Sequence, residues 1–169
     1  MPHDAVGSSA ATSSAVDFAP LTPVSFLQRA AKVFGTRTAI VDRALSFTYD
    51  DFWNRSTRLA GALVALGVEP GDRVAALCAN SHEMLELRNA VPLCRGVLVS
   101  LNTRLSTEEL DWILRHSGSR LIAATGEHAD VAQWLARRIG IPAVIADDRV
   151  TTKPHRGCRA DSGFRHRPR

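Results

Sequence analysis

The sequence predicts an α/β fold in which a parallel β-sheet carries helices on both faces. Apolar segments alternate with amphipathic segments in the order strand, helix, strand, helix, strand, helix, strand. The strand segments are continuously apolar rather than alternating, which is typical of parallel strands that are buried on both sides. At 169 residues with 45% hydrophobic content, the chain is long enough to bury a core of its own.

A helix and a hairpin precede this repeating part. Thr22 and Pro23 favour a helix start, and the apolar face that follows ends at Gly35. Residues 38–42 and 45–48 then read as two short strands joined by a tight turn. A separate antiparallel pair is therefore expected before the parallel sheet begins.

A longer helix follows the hairpin. Thr48 and Asp51 have the spacing of a capping box, in which each residue satisfies a free backbone amide of the other. The apolar stripe that follows predicts a buried face that ends with Leu66, and Gly67 stands at the expected C-terminal position.

The spacing of apolar residues and the residues that cap helix ends predict the remaining strands and helices. Asn80 is expected to cap the helix after the first parallel strand, and Ser106 with Glu109 forms a second capping box. The strands are predicted at 73–78, 97–101, 120–124 and 143–146, and the helices at 81–94, 107–116 and 128–139.

Composition divides the chain into three parts. Residues 1–20 are rich in Ala, Ser and Thr and are expected to form a disordered leader, whereas residues 21–150 form the folded part. Residues 151–169 hold six Lys and Arg residues against the single acid Asp161, and are expected to form a basic disordered tail. No apolar run is long enough for a membrane span and no targeting pattern is evident, so a cytoplasmic location is expected.

Common catalytic and metal-binding motifs are absent from the sequence. There is no glycine-rich phosphate loop, no nucleophile elbow and no pair of Cys or His residues at zinc-ligand spacing on an ordered element. The paired acids at 50–51 and 108–109 lie in first turns of helices, where carboxylates favour the helix dipole. We therefore expect no catalytic residue and no metal ligand in this chain.

One loop is a weak candidate for ligand binding because of its position. Asn102, Thr103 and Arg104 follow a predicted parallel strand, and ligands of open α/β sheets bind at the carboxyl ends of strands. The same residues are also common in turns, so a purely structural role remains open.

Three passages resemble the AMP-forming acyl-CoA synthetases, which are adenylate-forming enzymes. Residues 45–52 are similar to the first core motif, in which a short strand ends in Thr-Tyr before a long helix. Residues 66–75 resemble the leucine–glycine and glycine–aspartate–valine passage, and residues 91–105 resemble the second core motif of the fatty-acyl branch. Their order and spacing identify the chain with the incomplete, parallel-sheet N-terminal subdomain of this family over about 20–148.

The resemblance implies a fatty-acid–CoA ligase, which activates a carboxylic acid with ATP and Mg²⁺ and then transfers the acyl group to coenzyme A. It also implies that the phosphate-holding loop, the ribose-binding acid and the catalytic lysine lie beyond the passages found here. We therefore expect a truncated and inactive piece that needs no cofactor of its own. Near residue 150 the apolar pattern of the family ends and an Arg-rich segment begins. A shifted reading frame in a GC-rich gene would produce such a change.

Two other functions stay open. The chain could be a small α/β interaction module that docks on another polypeptide, such as one supplying the rest of the enzyme. Alternatively, the basic tail could associate weakly and without sequence specificity with nucleic acid. An incomplete sheet also leaves an uncovered edge, from which we expect marginal solubility.

Overall fold

A computed structural model describes residues 22–146 and confirms the predicted α/β architecture. The strands are β1 Thr38–Asp42, β2 Leu45–Thr48, β3 Arg73–Leu77, β4 Val97–Ser100, β5 Leu121–Thr125 and β6 Ala143–Ala146. The helices are α1 Pro23–Phe34, α2 Tyr49–Ala65, α3 His82–Leu93, α4 Thr107–Ser117 and α5 Ala129–Ile139. A single 3-10 turn, Gly126–His128, precedes α5.

The central sheet has four parallel strands in the order β4-β3-β5-β6. The two inner strands are buried along almost their whole length, whereas β4 and β6 are only partly covered. This burial explains why β3 and β5 have continuous apolar sequences, since both of their faces pack against helices.

The two faces of the sheet carry different helices. On one face, α2 and α3 pack over β3 and β5 through Leu63 and Leu87, which are fully buried. On the other face, α4 and α5 pack over the same strands through Leu114 and Leu135. Burying apolar side chains of this size stabilises the fold by roughly 1.5–3 kcal/mol each.

The hairpin of β1 and β2 forms a separate antiparallel sheet beside α2 and α3. Ile40 is its buried apolar residue, and α1 packs against α2 and α3 as well. A two-stranded hairpin is marginal alone, so its contacts with the helices hold it in place.

Arg73 joins the start of β3 to the end of α4. Its guanidinium donates hydrogen bonds to the carbonyl oxygens of Ser117 at 2.9 Å and Gly118 at 2.7 Å. These carbonyls lie at the negative end of the helix dipole, where a cation is favourable. Gly118 has a positive φ of 61°, which permits the turn that brings these carbonyls to Arg73.

Three local predictions are wrong in detail. The N-cap of α3 is Ser81 rather than Asn80, because α3 begins at His82. Leu66 is exposed rather than buried, since α2 ends at Ala65 and Leu66 lies in the turn beyond it. The last helix begins at Ala129 rather than at His128, where its start was predicted. His128 belongs to the 3-10 turn that precedes the helix.

Candidate functional site at the carboxyl edge of the sheet

The strand order places the topological switch point of the sheet between β3 and β5. The chain passes from β3 to β4 on one side and from β5 to β6 on the other, so the connections diverge between these two strands. Ligands of open α/β sheets bind at such a switch point, outside the carboxyl ends of the strands. The loops that border it are residues 78–81 after β3 and Gly126–His128 after β5.

The predicted candidates follow the edge strand β4, which neighbours β3. Asn102, Thr103 and Arg104 follow β4, and Thr103 is half-buried while the other two are exposed. The Asn102 side-chain oxygen accepts a hydrogen bond from the Arg104 backbone amide at 3.0 Å. Asn102 therefore closes the turn, and ligand binding at this loop remains a prediction.

Asp42 and His82 form a polar contact that joins the hairpin to α3. The Asp42 Oδ2 atom lies 2.7 Å from His82 Nδ1 and accepts the His82 backbone N–H at 3.0 Å. Ser81 makes no capping hydrogen bond with its side chain, so among the described residues Asp42 is the side chain that caps α3. These hydrogen bonds hold the pKa of Asp42 below its usual range, so this group is a carboxylate at neutral pH.

Glu83 completes a group of three ligand-type side chains. Its Oε2 atom lies 3.4 Å from His82 Nδ1. The donor atoms of Asp42, His82 and Glu83 all lie within 4.8 Å of one another. An imidazole and two carboxylates form a set of donors that zinc and related divalent metals accept.

A buried ion pair lies behind His82. Arg55 Nε donates to Oε1 of Glu86, whose side chain is 1% exposed. The Arg55 guanidinium also lies 4.8 Å from the centre of the Phe47 ring. The centre of the Phe47 ring in turn lies 4.9 Å from the centre of the His82 ring. Burial raises the pKa of Glu86, and Arg55 opposes that shift.

A cavity of about 300 Å³ opens beside this group. Both apolar and polar residues line the cavity. The apolar residues are Ile40, Val41, Met84 and Leu85, and the polar residues are Asp42, Asn80, Ser81, His82 and Arg88. Sequence reasoning missed this site because Asp42 lies forty residues before His82. Only the packing of the hairpin against α3 brings them together.

Nucleophilic chemistry is not evident in this region. Cys78 follows β3, but burial raises the pKa of its thiol to about 12, which keeps it protonated and inert at neutral pH. Cys94 is also buried, and both residues pack as small core side chains. The arrangement can bind a polar or ionic group, but it has no activated nucleophile in the part of the chain described.

Comparison with known proteins identifies the family of the chain. The family model described as "AMP-binding enzyme" matches residues 27–161, which is more than half of the chain. The chain belongs to this family. The match extends past residue 150, where composition predicts the end of the folded part, and that boundary remains a prediction.

Two relatives of this family member are named as acid–CoA ligases. It is 41% identical over 103 residues to 2-methylpropanoate–CoA ligase of Humulus lupulus, covering 61% of this chain and 18% of that protein. It is 34% identical over 143 residues to a peroxisomal butyrate–CoA ligase of Arabidopsis thaliana, covering 80% of this chain and 25% of that protein.

A solved structure shares the fold. The O-succinylbenzoate coenzyme A synthetase of Bacillus subtilis, in complex with ATP and magnesium ion, matches with a TM-score of 0.68 and 26% identity. The match covers 76% of this chain and 34% of that one. The chain thus corresponds to an N-terminal portion of the family enzymes and spans about a fifth to a quarter of the two ligases above.

Hydropathy adds one finding. Within residues 22–146, no helix combines the length and the apolar character that crossing a membrane requires.

Proposed function

We propose that this family member is the N-terminal structural part of an acid–CoA ligase and that these 169 residues do not catalyse the reaction by themselves. The observation that carries the proposal is the family match to acid–CoA ligases, because the matched part of this chain covers only 18% and 25% of the two ligases named above. In the complete reaction, ATP activates a carboxylic acid to an acyl-adenylate, and coenzyme A then displaces AMP.

The described part of the chain supplies few of the groups that such a reaction needs. Adenylation requires donors that hold the phosphates and Mg²⁺ in line with the attacking carboxylate. Residues 22–146 contain no glycine-rich phosphate loop, and the basic side chains beside the cavity, His82 and Arg88, do not form a phosphate cradle. Among the family's cofactors, ATP, Mg²⁺ and coenzyme A, we therefore propose that none is bound productively by this chain alone.

The decisive test is ATP–pyrophosphate exchange with the purified chain. We expect no exchange above a buffer blank with butyrate, 2-methylpropanoate or longer fatty acids, because the reacting phosphates are not held. A full-length relative assayed in parallel shows that the conditions support the reaction. Exchange by the 169-residue chain well above the blank would sink the proposal.

We propose fatty acids as the substrate class of the complete enzyme. The support is the resemblance of residues 91–105 to the fatty-acyl branch and the names of two relatives, which act on four-carbon acids. Fusing this chain to the remainder of a relative and ranking kcat/KM for acids of increasing length tests the idea. A preference for aromatic acids would contradict it.

A polypeptide partner is a second candidate role, and exposed apolar side chains favour it. Trp112 on α4, Trp134 on α5 and Phe26 on α1 are each about half or more exposed, which is unusual for side chains of this size. We propose that a polypeptide carrying the rest of the ligase covers some of these side chains. Co-expression should yield a complex with ligase activity, and failure of the two pieces to co-purify would count against the role.

We also propose that the protein resides in the cytoplasm. The support is the absence of a spanning helix in residues 22–146, although the Arabidopsis relative is named as peroxisomal. Microscopy of a tagged chain, with a peroxisomal marker in the same cells, distinguishes the two locations.

A further inference from the structure

We propose that Asp42, His82 and Glu83 bind a zinc ion that fastens the β1–β2 hairpin to the N-terminus of α3. The site lies apart from any group assigned to the family reaction above and does not depend on the proposed function. It would be a structural site rather than a catalytic one.

The geometry is close to what zinc requires. Tetrahedral zinc with bonds of about 2.0–2.1 Å to nitrogen and oxygen needs ligand atoms roughly 3.3 Å apart. The Oε2 of Glu83 lies 3.4 Å from the Nδ1 of His82, and the Oδ2 of Asp42 lies 2.7 Å from the same nitrogen. All three donor atoms lie within 4.8 Å of one another, so shifts of up to about 1.5 Å between them bring the set to tetrahedral spacing.

The ligands are held by their surroundings before any metal binds. The His82 side chain is 5% exposed, and its ring contacts the Phe47 ring at 4.9 Å with the planes tilted by 31°. The Arg55 guanidinium lies 4.8 Å from the centre of the same Phe47 ring. Asp42 is fixed by the His82 backbone amide, and that hydrogen bond uses only one of its two carboxylate oxygens. The same atom, Oδ2, lies 2.7 Å from His82 Nδ1, so zinc would replace the contact with Nδ1 while the backbone amide still holds this oxygen.

Charge and space also favour the ion. The two carboxylates neutralise the two positive charges of zinc. The occupied site therefore places no net positive charge at the positive end of the α3 dipole. The cavity of about 300 Å³ that borders Asp42 and His82 leaves room for a water molecule as a fourth ligand.

The His82 ring nitrogen that faces Asp42 must offer its lone pair to the metal. His82 Nδ1 lies 2.7 Å from Asp42 Oδ2, and zinc would take the place of the hydrogen in this contact. The bond that forms is Nδ1–Zn, and a neutral imidazole then carries its hydrogen on Nε2. No oxidant or reductant takes part.

The test is zinc titration of the full chain by calorimetry, in a background where His155→Ala, Cys158→Ser and His166→Ala remove the Cys and His side chains of the tail. We expect zinc binding and a rise in Tm. Asp42→Asn and Glu83→Gln should each weaken binding by about tenfold or more, while the matched control Glu108→Gln on α4 should leave it unchanged.

Asp42→Asn retains an oxygen that can accept the His82 amide, so the variant should still fold, and circular dichroism checks this. If it does not fold, Glu83→Gln decides the question. Cobalt provides a second readout, because a site of nitrogen and oxygen ligands gives visible bands without the near-ultraviolet charge transfer of a thiolate. Absence of zinc binding, or binding that neither substitution weakens, overturns the proposal.

Discussion

Glu86 shows how a single buried charge depends on its partner. Arg55 is the side chain that pairs with it in the described structure, and burial raises the pKa of Glu86 despite that pairing. Removing one member of such a pair leaves an uncompensated charge in the interior, which costs far more than the pair itself contributes.

We predict that Arg55→Ala lowers the free energy of unfolding by about 3–5 kcal/mol at neutral pH. A raised folded-state pKa for Glu86 means that stability is greater below the unfolded pKa and falls as pH rises through the folded value. The loss caused by Arg55→Ala should therefore be smaller at mildly acidic pH than at pH 8. Urea denaturation measures both values.

The control for this substitution is Arg88→Ala, on the same helix as Glu86 but exposed. It should change stability by no more than about 0.5 kcal/mol. A loss from Arg55→Ala that is equally large at both pH values would argue that packing, not the ion pair, explains the effect.

At the level of the elements, helix starts account for much of the local order. Three helices begin with a capping box, in which the N-cap hydroxyl and the side chain three residues on bond each other's backbone amides. The start of α3 differs, because its cap comes from Asp42 on the hairpin. Helices α1, α2 and α4 are thus encoded locally, whereas α3 depends on a distant residue.

We predict that Ser106→Ala destabilises the fold by about 1 kcal/mol, because the Ser106 hydroxyl accepts the Glu109 backbone amide at the start of α4. Ser81→Ala at the start of α3 is the matched control. Its hydroxyl is buried without a partner among the described residues, so its removal should not lower stability. Thermal unfolding of the two variants makes the comparison, and equal losses would contradict it.

The capping acids also predict a pH dependence. Hydrogen bonds from Thr48 hold the pKa of Asp51 below its ordinary value. A lowered folded-state pKa contributes stability above the unfolded pKa, and that contribution is lost as pH falls through the folded value. Asp51→Asn should therefore be less stable than the parent at pH 7 and closer to it near pH 3. A constant difference between these pH values would refute this assignment.

At the scale of the whole molecule, the open edges of the sheet matter most. Within residues 22–146, β4 and β6 each pair with one strand only, and Val97 on β4 is 50% exposed. An exposed edge strand with apolar side chains is a template for pairing with another chain. This observation supports the expectation of marginal solubility, which no measurement has yet tested.

We predict that Val97→Lys slows aggregation, because a charged side chain on an edge strand opposes edge-to-edge pairing. Val131→Lys adds the same charge at an exposed position of helix α5 and serves as the control. Light scattering at several protein concentrations should show a slower rise for the first variant than for the second. Equal rates would mean that net charge, and not the strand edge, controls aggregation.

The sequence by itself determined the elements and the family. Apolar period and capping signals lie within a few residues of one another, so Thr22, Thr48 and Ser106 marked their helices correctly, and the passages at 45–52, 66–75 and 91–105 identified the ligases. Tertiary structure alone decided the order of the strands, the position of the switch point and the meeting of Asp42 with His82. The reason is physical: these features depend on contacts between segments far apart in the chain, which local propensity does not encode.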